Sequence, residues 1–467
     1  MSDAPYPPYR FASGARRAAR NAYAHLWIWL FVFPLAMDYK AATTGDSHFA
    51  QVLLTVPTLG AGVILSLIGP RFRDRSPLRT GLMLSLMLAV PASLLTQWVE
   101  ANAMGHYLRV LLPFALFQLG FIAACRPWQE ARIEQFEKAL FWANAVSLAF
   151  TCLYGLMTAG PLADVRYRIV SVTFLGLQGV LLHEFVIARR FTALTLVLFM
   201  ASIVIELLSV TRSLLVGTAL MFALAVWMSA SGSRYLAYAA VRALAGIVLL
   251  GVMAAGAAFW FPEATEHWVQ RIDFAKDATQ TGEDPTTITR LAEMRDQYDQ
   301  VVSSPISTLI GKGYGHAYGY SPAYLPDLAG QISKKDYFDQ RDWAAGHNFW
   351  VYQFFAGGIL FGLAFPLALL YALARCVVTY RRWRLHAPDT PQLPVLGRAI
   401  LLMAALPATS VGGNPLGPRF SGLVFGVALG LMVAMHAQLV QRGPAPPRSI
   451  DRDEPWARPT PGANDAS

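Results

Sequence analysis

The residues best suited to chemistry are Gly346-His347-Asn348-Phe349-Trp350, which stand directly before a long apolar run. An imidazole titrates near neutral pH, so His347 is a candidate general base at the water boundary of a membrane span. Asn348 could orient the ring or an acceptor hydroxyl. The alternative is structural: both residues would cap a helix, while the two aromatic residues form an interfacial belt.

Arg212 lies in the only polar break, Ser209 to Ser213, of an apolar run over 191–228. A single helix of that length would reach about 57 Å, nearly twice the hydrocarbon thickness, so the run must fold into a hairpin. The guanidinium at its outer tip suits phosphate oxygens, and the alternative is an arginine that only reaches the membrane interface. About two turns below the tip, Glu206 is interpreted as paired with a polar residue of another span; a functional role is the alternative.

A second candidate anion ligand, Arg290, follows Asp284-Pro285, a pattern that predicts a helix over about 286–303. The apolar residues of this helix that share one face are Ile288, Leu291, Tyr298 and Val302. Arg290 lies about half a turn from that face and can point at a ligand; a solvated surface charge is the alternative. Arg295 falls among the apolar positions and is expected to form a structural pair.

The stretch Gly311-Lys312-Gly313-Tyr314-Gly315-His316 has neither nucleotide-binding spacing, GxxxxGK[ST] or GxGxxG. We expect its glycines to allow a close turn and Lys312 to add positive charge near the site. His316 is interpreted as a loop histidine.

The elements that must position these residues are membrane spans. Hydrophobic residues make up 55% of the 467, charged residues 14%, and the mean hydropathy is +0.40, which excludes an ordinary soluble enzyme. We predict an all-α polytopic membrane protein with about twelve transmembrane helices. The predicted spans are 25–38, 49–69, 80–97, 107–125, 139–159, 168–188, 191–209, 213–230, 236–261, 347–374, 399–411 and 420–440.

Charge bias gives the topology, because 24 of the 38 Lys and Arg fall on one set of segments. Residues 1–24 and the proline-rich, disordered tail 441–467 are then both cytoplasmic, with nine spans over 25–261 and three over 347–440. The large outer loop 262–346 carries 13 acidic and 8 basic side chains. A connection of this length usually carries function, so we expect chemistry there.

Other classes of protein fit less well. The net charge of +9 suggests nucleic acid, but the basic residues lie at span ends and form no basic amphipathic face. The three cysteines show no CxxC pattern, so neither a disulfide nor a zinc site is expected. A transporter would show repeated halves and midplane charges, which the sequence lacks.

Together, SVTRS around Arg212, TITRLAEM around Arg290, GKGYG and HNFW resemble the multispanning O-antigen ligase and polymerase superfamily, and most of all its lipopolysaccharide O-antigen ligases. The likeness covers about residues 206–365. It implies a GT-C type fold, in the bacterial inner membrane, with a large periplasmic loop of short helices. It also implies metal-independent, inverting transfer of O-antigen polysaccharide from undecaprenyl pyrophosphate to a sugar hydroxyl of lipid A core, without a cofactor.

On this resemblance His347 would be the catalytic base at the periplasmic face, and Arg212 and Arg290 would hold the pyrophosphate. Asn348 and Lys312 would support them, and Arg166 and Arg168, before the sixth span, would contact acceptor phosphates. The expected partners are the lipid-linked O-antigen, lipid A core and membrane lipids, with no nucleic acid and no metal, and the chain is expected to be a monomer. An O-antigen polymerase or a protein O-oligosaccharyltransferase of the same superfamily remains the alternative.

Overall fold

The computed structural model describes residues 23–38, 49–158, 171–209, 212–230, 285–328, 332–410 and 412–443, with a few further helical residues between 237 and 262. These residues form helices and, within the described ranges, no strand beyond one bridge between Tyr318 and Asp342. The helices before the large loop are α1 Ala24–Val32, α2 Phe49–Ile68, α3 Pro77–Ala89, α4 Ser93–Glu100, α5 Met104–Ala124, α6 Glu130–Thr158, α7 Ser171–Leu182, α8 Ala193–Ser209 and α9 Arg212–Ser229. Those that follow are α10 Pro285–Val301, α11 Pro305–Ile310, α12 Lys334–Asp339, α13 Phe349–Gly357, α14 Ala364–His386, α15 Gln392–Ser410 and α16 Ser421–Gln441.

The chain is a multi-pass membrane protein by the length and composition of its helices. Six helical segments of the described chain are long and apolar enough to span a bilayer, and five further apolar helices are shorter. Each of these eleven helices overlaps one predicted span. The remaining predicted span, the ninth, 236–261, lies largely outside the described residues. Several helices extend beyond the predicted spans: α14, for example, ends at His386 instead of 374, because hydropathy marks the membrane-embedded part of a helix and not its end.

The centre of the bundle is α16, which is buried along nearly its whole length and packs against α5. Gly422 and Gly426, one turn apart, face Pro113 and Phe117 so closely that a methyl group at either glycine would collide with their carbonyl groups. Small residues at this spacing let two helix backbones approach and gain dispersion energy where no water is available to drive association. The pair α5–α16 is therefore the rigid support beneath the loop segments described below.

The predicted helical hairpin is present, since α8 ends at Ser209 and α9 begins at Arg212. The two helices fold back on each other: Glu206 of α8 accepts a hydrogen bond from Thr218 of α9 at 3.0 Å. Glu206 also accepts one from Gln178 of α7 at 2.8 Å. The expectation that Glu206 pairs with a polar residue of another span is thus confirmed.

Within the large loop, α10 begins at Pro285 as predicted, and its apolar face is only partly its buried face. Ile288 is buried, but Tyr298 and Val302 are 46% and 41% exposed. The helix instead buries Glu293 and Gln297, which are hydrogen-bonded to each other at 3.2 Å. Arg295 lies on the exposed side and pairs with Asp299 at 3.0 Å.

Candidate functional site

His347 and Glu293 form the most closely organised polar pair of the loop. The His347 Nδ1 atom lies 2.6 Å from Glu293 Oε2, and the His347 backbone N–H donates to Glu293 Oε1 at 2.9 Å. One carboxylate thus holds the histidine at two points. It fixes both where the residue enters the site and how its ring is turned.

The two partners differ sharply in exposure. The Glu293 side chain is 5% exposed and that of His347 is 61% exposed. An ionised carboxylate accepts and does not donate, so Nδ1 is the donor of this contact, and in a neutral imidazole Nε2 is then the acceptor nitrogen. The ring is exposed while the carboxylate that holds it is buried.

Glycine at position 346 is what allows this close contact. A Cβ atom there would lie 2.7 Å from Glu293 Oε1 and 2.5 Å from Gln297 Nε2. Gln297 itself donates to the same carboxylate oxygen at 3.2 Å. Any larger residue would therefore displace the carboxylate from the His347 backbone.

Asn348 begins the helix that follows the histidine. Its Oδ1 accepts hydrogen bonds from the backbone N–H groups of Trp350 and Val351, both at 3.0 Å, as an N-cap residue does. The structural alternative for this residue is therefore observed. Asn348 fixes the helix start that directly follows His347.

Arg290 lies one turn before Glu293 on α10, so the two side chains are neighbours on the helix surface. Its Nη1 donates to the backbone carbonyl of Gly412 at 3.3 Å. The half-buried guanidinium is therefore directed to the turn between α15 and α16. His347 and Arg290 belong to one small region of the loop, although they lie 57 positions apart in the sequence.

The turn at Gly412 and Gly413 brings three elements together. Gly413 accepts a hydrogen bond from the backbone N–H of Phe349, the first residue of α13, at 3.3 Å. A Cβ atom on Gly412 would lie 2.9 Å from the Cβ of Ser213, in the first turn of α9. The start of the helix that Arg212 opens therefore lies beside the carbonyl that Arg290 contacts and beside the segment that carries His347. The Arg212 side chain lies outside the described residues.

The glycine-rich stretch forms the close turn that was expected. Gly311, Gly313 and Gly315 have φ angles of +79°, +86° and +77°, which side chains with a Cβ rarely adopt. Its Lys312 forms an ion pair with Glu100 at 3.6 Å instead of contacting the His347–Glu293 pair. His316 Nδ1 lies 2.7 Å from Asn102 Oδ1, in keeping with a histidine that holds the loop onto the α4–α5 turn.

The other candidate residues fall outside the site as the structure shows it. Arg166 and Arg168 lie outside the described residues. Among the residues that are described, no group of three or more His, Cys, Asp or Glu side chains is arranged to hold a metal ion.

Sequence reasoning missed Glu293. It was counted as one of the 13 acidic residues of the loop and was not considered individually. A signal was present, because steps of four residues connect Ile288 to Ala292, and Glu293 to Gln297 and Val301, and all five are buried. A polar pair that shares the spacing of a buried face indicates a hydrogen-bonded cluster inside the loop.

Comparison with protein-family models and with curated proteins finds no match for this chain. The functional assignment consequently depends on the geometry described above and on the sequence motifs.

Proposed function

We propose that this protein is an O-antigen ligase, a glycosyltransferase that moves O-antigen polysaccharide from undecaprenyl pyrophosphate to a sugar hydroxyl of lipid A core. The observation that carries the proposal is the convergence of a carboxylate-held histidine and an arginine at one glycine turn. The apolar helices around that turn suit substrates that are both anchored in a membrane. The site would lie at the periplasmic face of the inner membrane, with both chain termini in the cytoplasm, as the charge bias predicts.

His347 acts as the general base in this mechanism. Its Nε2 takes the proton of the acceptor hydroxyl as the hydroxyl oxygen attacks the anomeric carbon of the donor sugar. Glu293 stabilises the positive charge that develops on the ring, and it prevents the ring from turning away from the acceptor. The pair is a base with an orienting acid, and no second carboxylate near the base is needed.

Arg290, together with Arg212, holds the diphosphate of the donor. The bond between the anomeric carbon and the pyrophosphate oxygen breaks as the new glycosidic bond forms, and the electron pair leaves with the pyrophosphate. Guanidinium groups beside the leaving oxygens stabilise the developing negative charge. A single displacement of this kind inverts the anomeric configuration.

Reconstitution of the purified full-length protein tests the proposal. The protein is placed in vesicles with lipid-linked O-antigen and lipid A core, without nucleotide or added metal, and the product is lipid A core that carries polysaccharide. We expect wild-type protein to form this product and His347→Ala to form none while still inserting and folding. His386→Ala, which replaces a histidine at the far end of α14, is the matched control and should remain active.

The same assay separates the alternatives. Longer lipid-linked chains without transfer to lipid A core would identify a polymerase, and transfer to an added serine-containing peptide would identify a protein O-oligosaccharyltransferase. Product formation by His347→Ala at the wild-type rate would refute the assignment of the base.

A further inference from the structure

A second candidate site lies at the opposite end of the bundle from His347. A cavity of about 460 Å³ opens between α3, α5 and the segment that joins α2 to α3. Its volume falls within the range of small-molecule sites in proteins, about 300–1,000 Å³. The proposed transfer reaction uses none of its residues.

The position of the cavity follows from the length of α5. This helix starts beside the glycine-rich loop, where Asn102 Nδ2 donates to the carbonyl of Lys312 at 2.8 Å, and ends at Ala124. Its 21 residues span about 30 Å, the thickness of the hydrocarbon core. Arg126, just beyond the helix end, therefore faces the membrane surface opposite to the candidate active site.

Three arginines converge on this cavity. Arg71, Arg79 and Arg126 line it. None of them forms an ion pair with a carboxylate among the described residues. Their recorded partners are neutral: Arg79 Nη2 donates to the carbonyl of Asp74 at 2.7 Å, and Arg126 donates to the carbonyls of Ile122 and Ser66 at 3.0 and 3.1 Å.

Within the part of the chain that the structure describes, no carboxylate pairs with the positive charge in the cavity. The Nη1 atom of Arg79 is buried and has no hydrogen-bond partner within the described chain. Burial lowers the pKa of Arg126, the neighbouring Cys125 opposes that shift, and the charges of Arg71 and Arg79 lower the pKa further. A buried donor without a partner costs roughly 1–3 kcal/mol, and an anion that accepts from it would recover that cost.

The walls of the cavity show what kind of anion fits. Beyond the arginines they are mainly apolar, with Met83, Met87 and Phe121 among them. Leu84 also lines the cavity and is 60% exposed, so the opening faces the apolar surroundings of the bundle. A free phosphate would leave these walls without a partner, whereas a lipid fills them with an acyl chain.

We propose that this cavity binds one anionic phospholipid, whose phosphate group contacts Arg71, Arg79 and Arg126 and whose acyl chain lies along Met83, Met87 and Phe121. By the charge bias of the sequence the lipid belongs to the cytoplasmic leaflet, where anionic headgroups meet basic residues of membrane proteins.

The test uses the full-length protein in a neutral detergent, titrated with phosphatidylglycerol or phosphatidylcholine, with bound lipid counted by native mass spectrometry. We expect one phosphatidylglycerol to bind in preference to phosphatidylcholine. Arg79→Gln should weaken its binding about ten-fold, the effect of losing one charge-assisted hydrogen bond. The matched control is Arg75→Gln, because Arg75 is exposed on the same segment and does not line the cavity; this variant should bind like wild type.

Two further measurements keep the proposal falsifiable if Arg79→Gln fails to fold. Met83→Trp retains all three arginines and fills the apolar part, so it should prevent binding. Inorganic phosphate at a matched concentration should not displace the lipid. Equal losses in Arg75→Gln and Arg79→Gln, unchanged binding in Met83→Trp, or displacement by inorganic phosphate would each overturn the proposal.

Discussion

Glu293→Gln tests the central feature of the candidate site, because it removes the negative charge beneath His347 and keeps the shape of the side chain. Two unit charges about 4 Å apart in a medium of effective dielectric constant 20 attract by about 4 kcal/mol. The His347 side chain is 61% exposed, so solvent screening reduces this attraction to about 2 kcal/mol. The developing imidazolium loses that stabilisation, and the rate of transfer should fall about 30-fold.

Steady-state transfer to lipid A core, over a range of concentrations of the lipid-linked donor, measures this effect. Since Glu293 acts through the base and not on the donor, kcat should fall while KM for the donor stays near the wild-type value. Glu293→Asp keeps the charge but shortens the side chain, so its rate should lie between those of wild type and Glu293→Gln. The matched control is Asp299→Asn on the exposed side of the same helix, which should change the rate by less than about two-fold.

A wild-type rate in Glu293→Gln, with His347→Ala inactive, would refute the role of the carboxylate and leave the base in place. A rise in donor KM with unchanged kcat would instead place Glu293 in substrate binding. If Asp299→Asn folds but loses as much activity as Glu293→Gln, substitutions on this helix impair transfer in general. The loss in Glu293→Gln would then be no evidence for a specific role of Glu293.

Three further predictions follow from the geometry. Gly346→Ala should impair transfer about as strongly as Glu293→Gln, because the added methyl group displaces the carboxylate from His347; full activity of the folded variant would contradict the close packing. Arg290→Lys should lower turnover at saturating donor at least about ten-fold, since an ammonium group cannot span two phosphate oxygens, and unchanged turnover would argue against the clamp. Burial lowers the pKa of His316, so the folded state disfavours its protonation and stability should fall as the pH drops below about 6.5. The melting temperature of His316→Gln should therefore depend less on pH than that of wild type between about pH 8 and pH 5, and identical pH profiles would contradict this.

The apolar helices could be predicted from the sequence, because the thickness of the bilayer sets the length of the apolar stretch that crosses it. The hairpin at Arg212 followed from arithmetic alone: an apolar run of that length cannot remain a single helix inside the hydrocarbon core. The start of α10 followed from Asp284-Pro285, because a proline in the first turn of a helix loses no intrahelical hydrogen bond.

Only part of the candidate site could be predicted from the sequence, because the site depends on contacts between distant segments. His347 and Arg290 could be selected from their residue types and their places beside predicted elements. Their common anchor, the turn at Gly412 and Gly413, carries no motif, and its importance appears only when Phe349 and Ser213 are seen to approach it. Glu293 was not selected from the sequence, because its residue type does not distinguish it from the other acidic residues of the loop. Its burial, which does distinguish it, is known only from the structure.

The large loop is acidic, which opposes the proposed binding of a diphosphate, but three of its carboxylates are engaged in hydrogen bonds. Asp342 accepts two backbone N–H groups, and Asp296 accepts from Gln300 and from the backbone of Gly319. Glu293 is buried and contacts His347 Nδ1. These carboxylates accept hydrogen bonds from within the loop or from His347. Arg290 contacts the carbonyl of the glycine turn, and on the proposed function its guanidinium adds positive potential where the leaving group develops its charge.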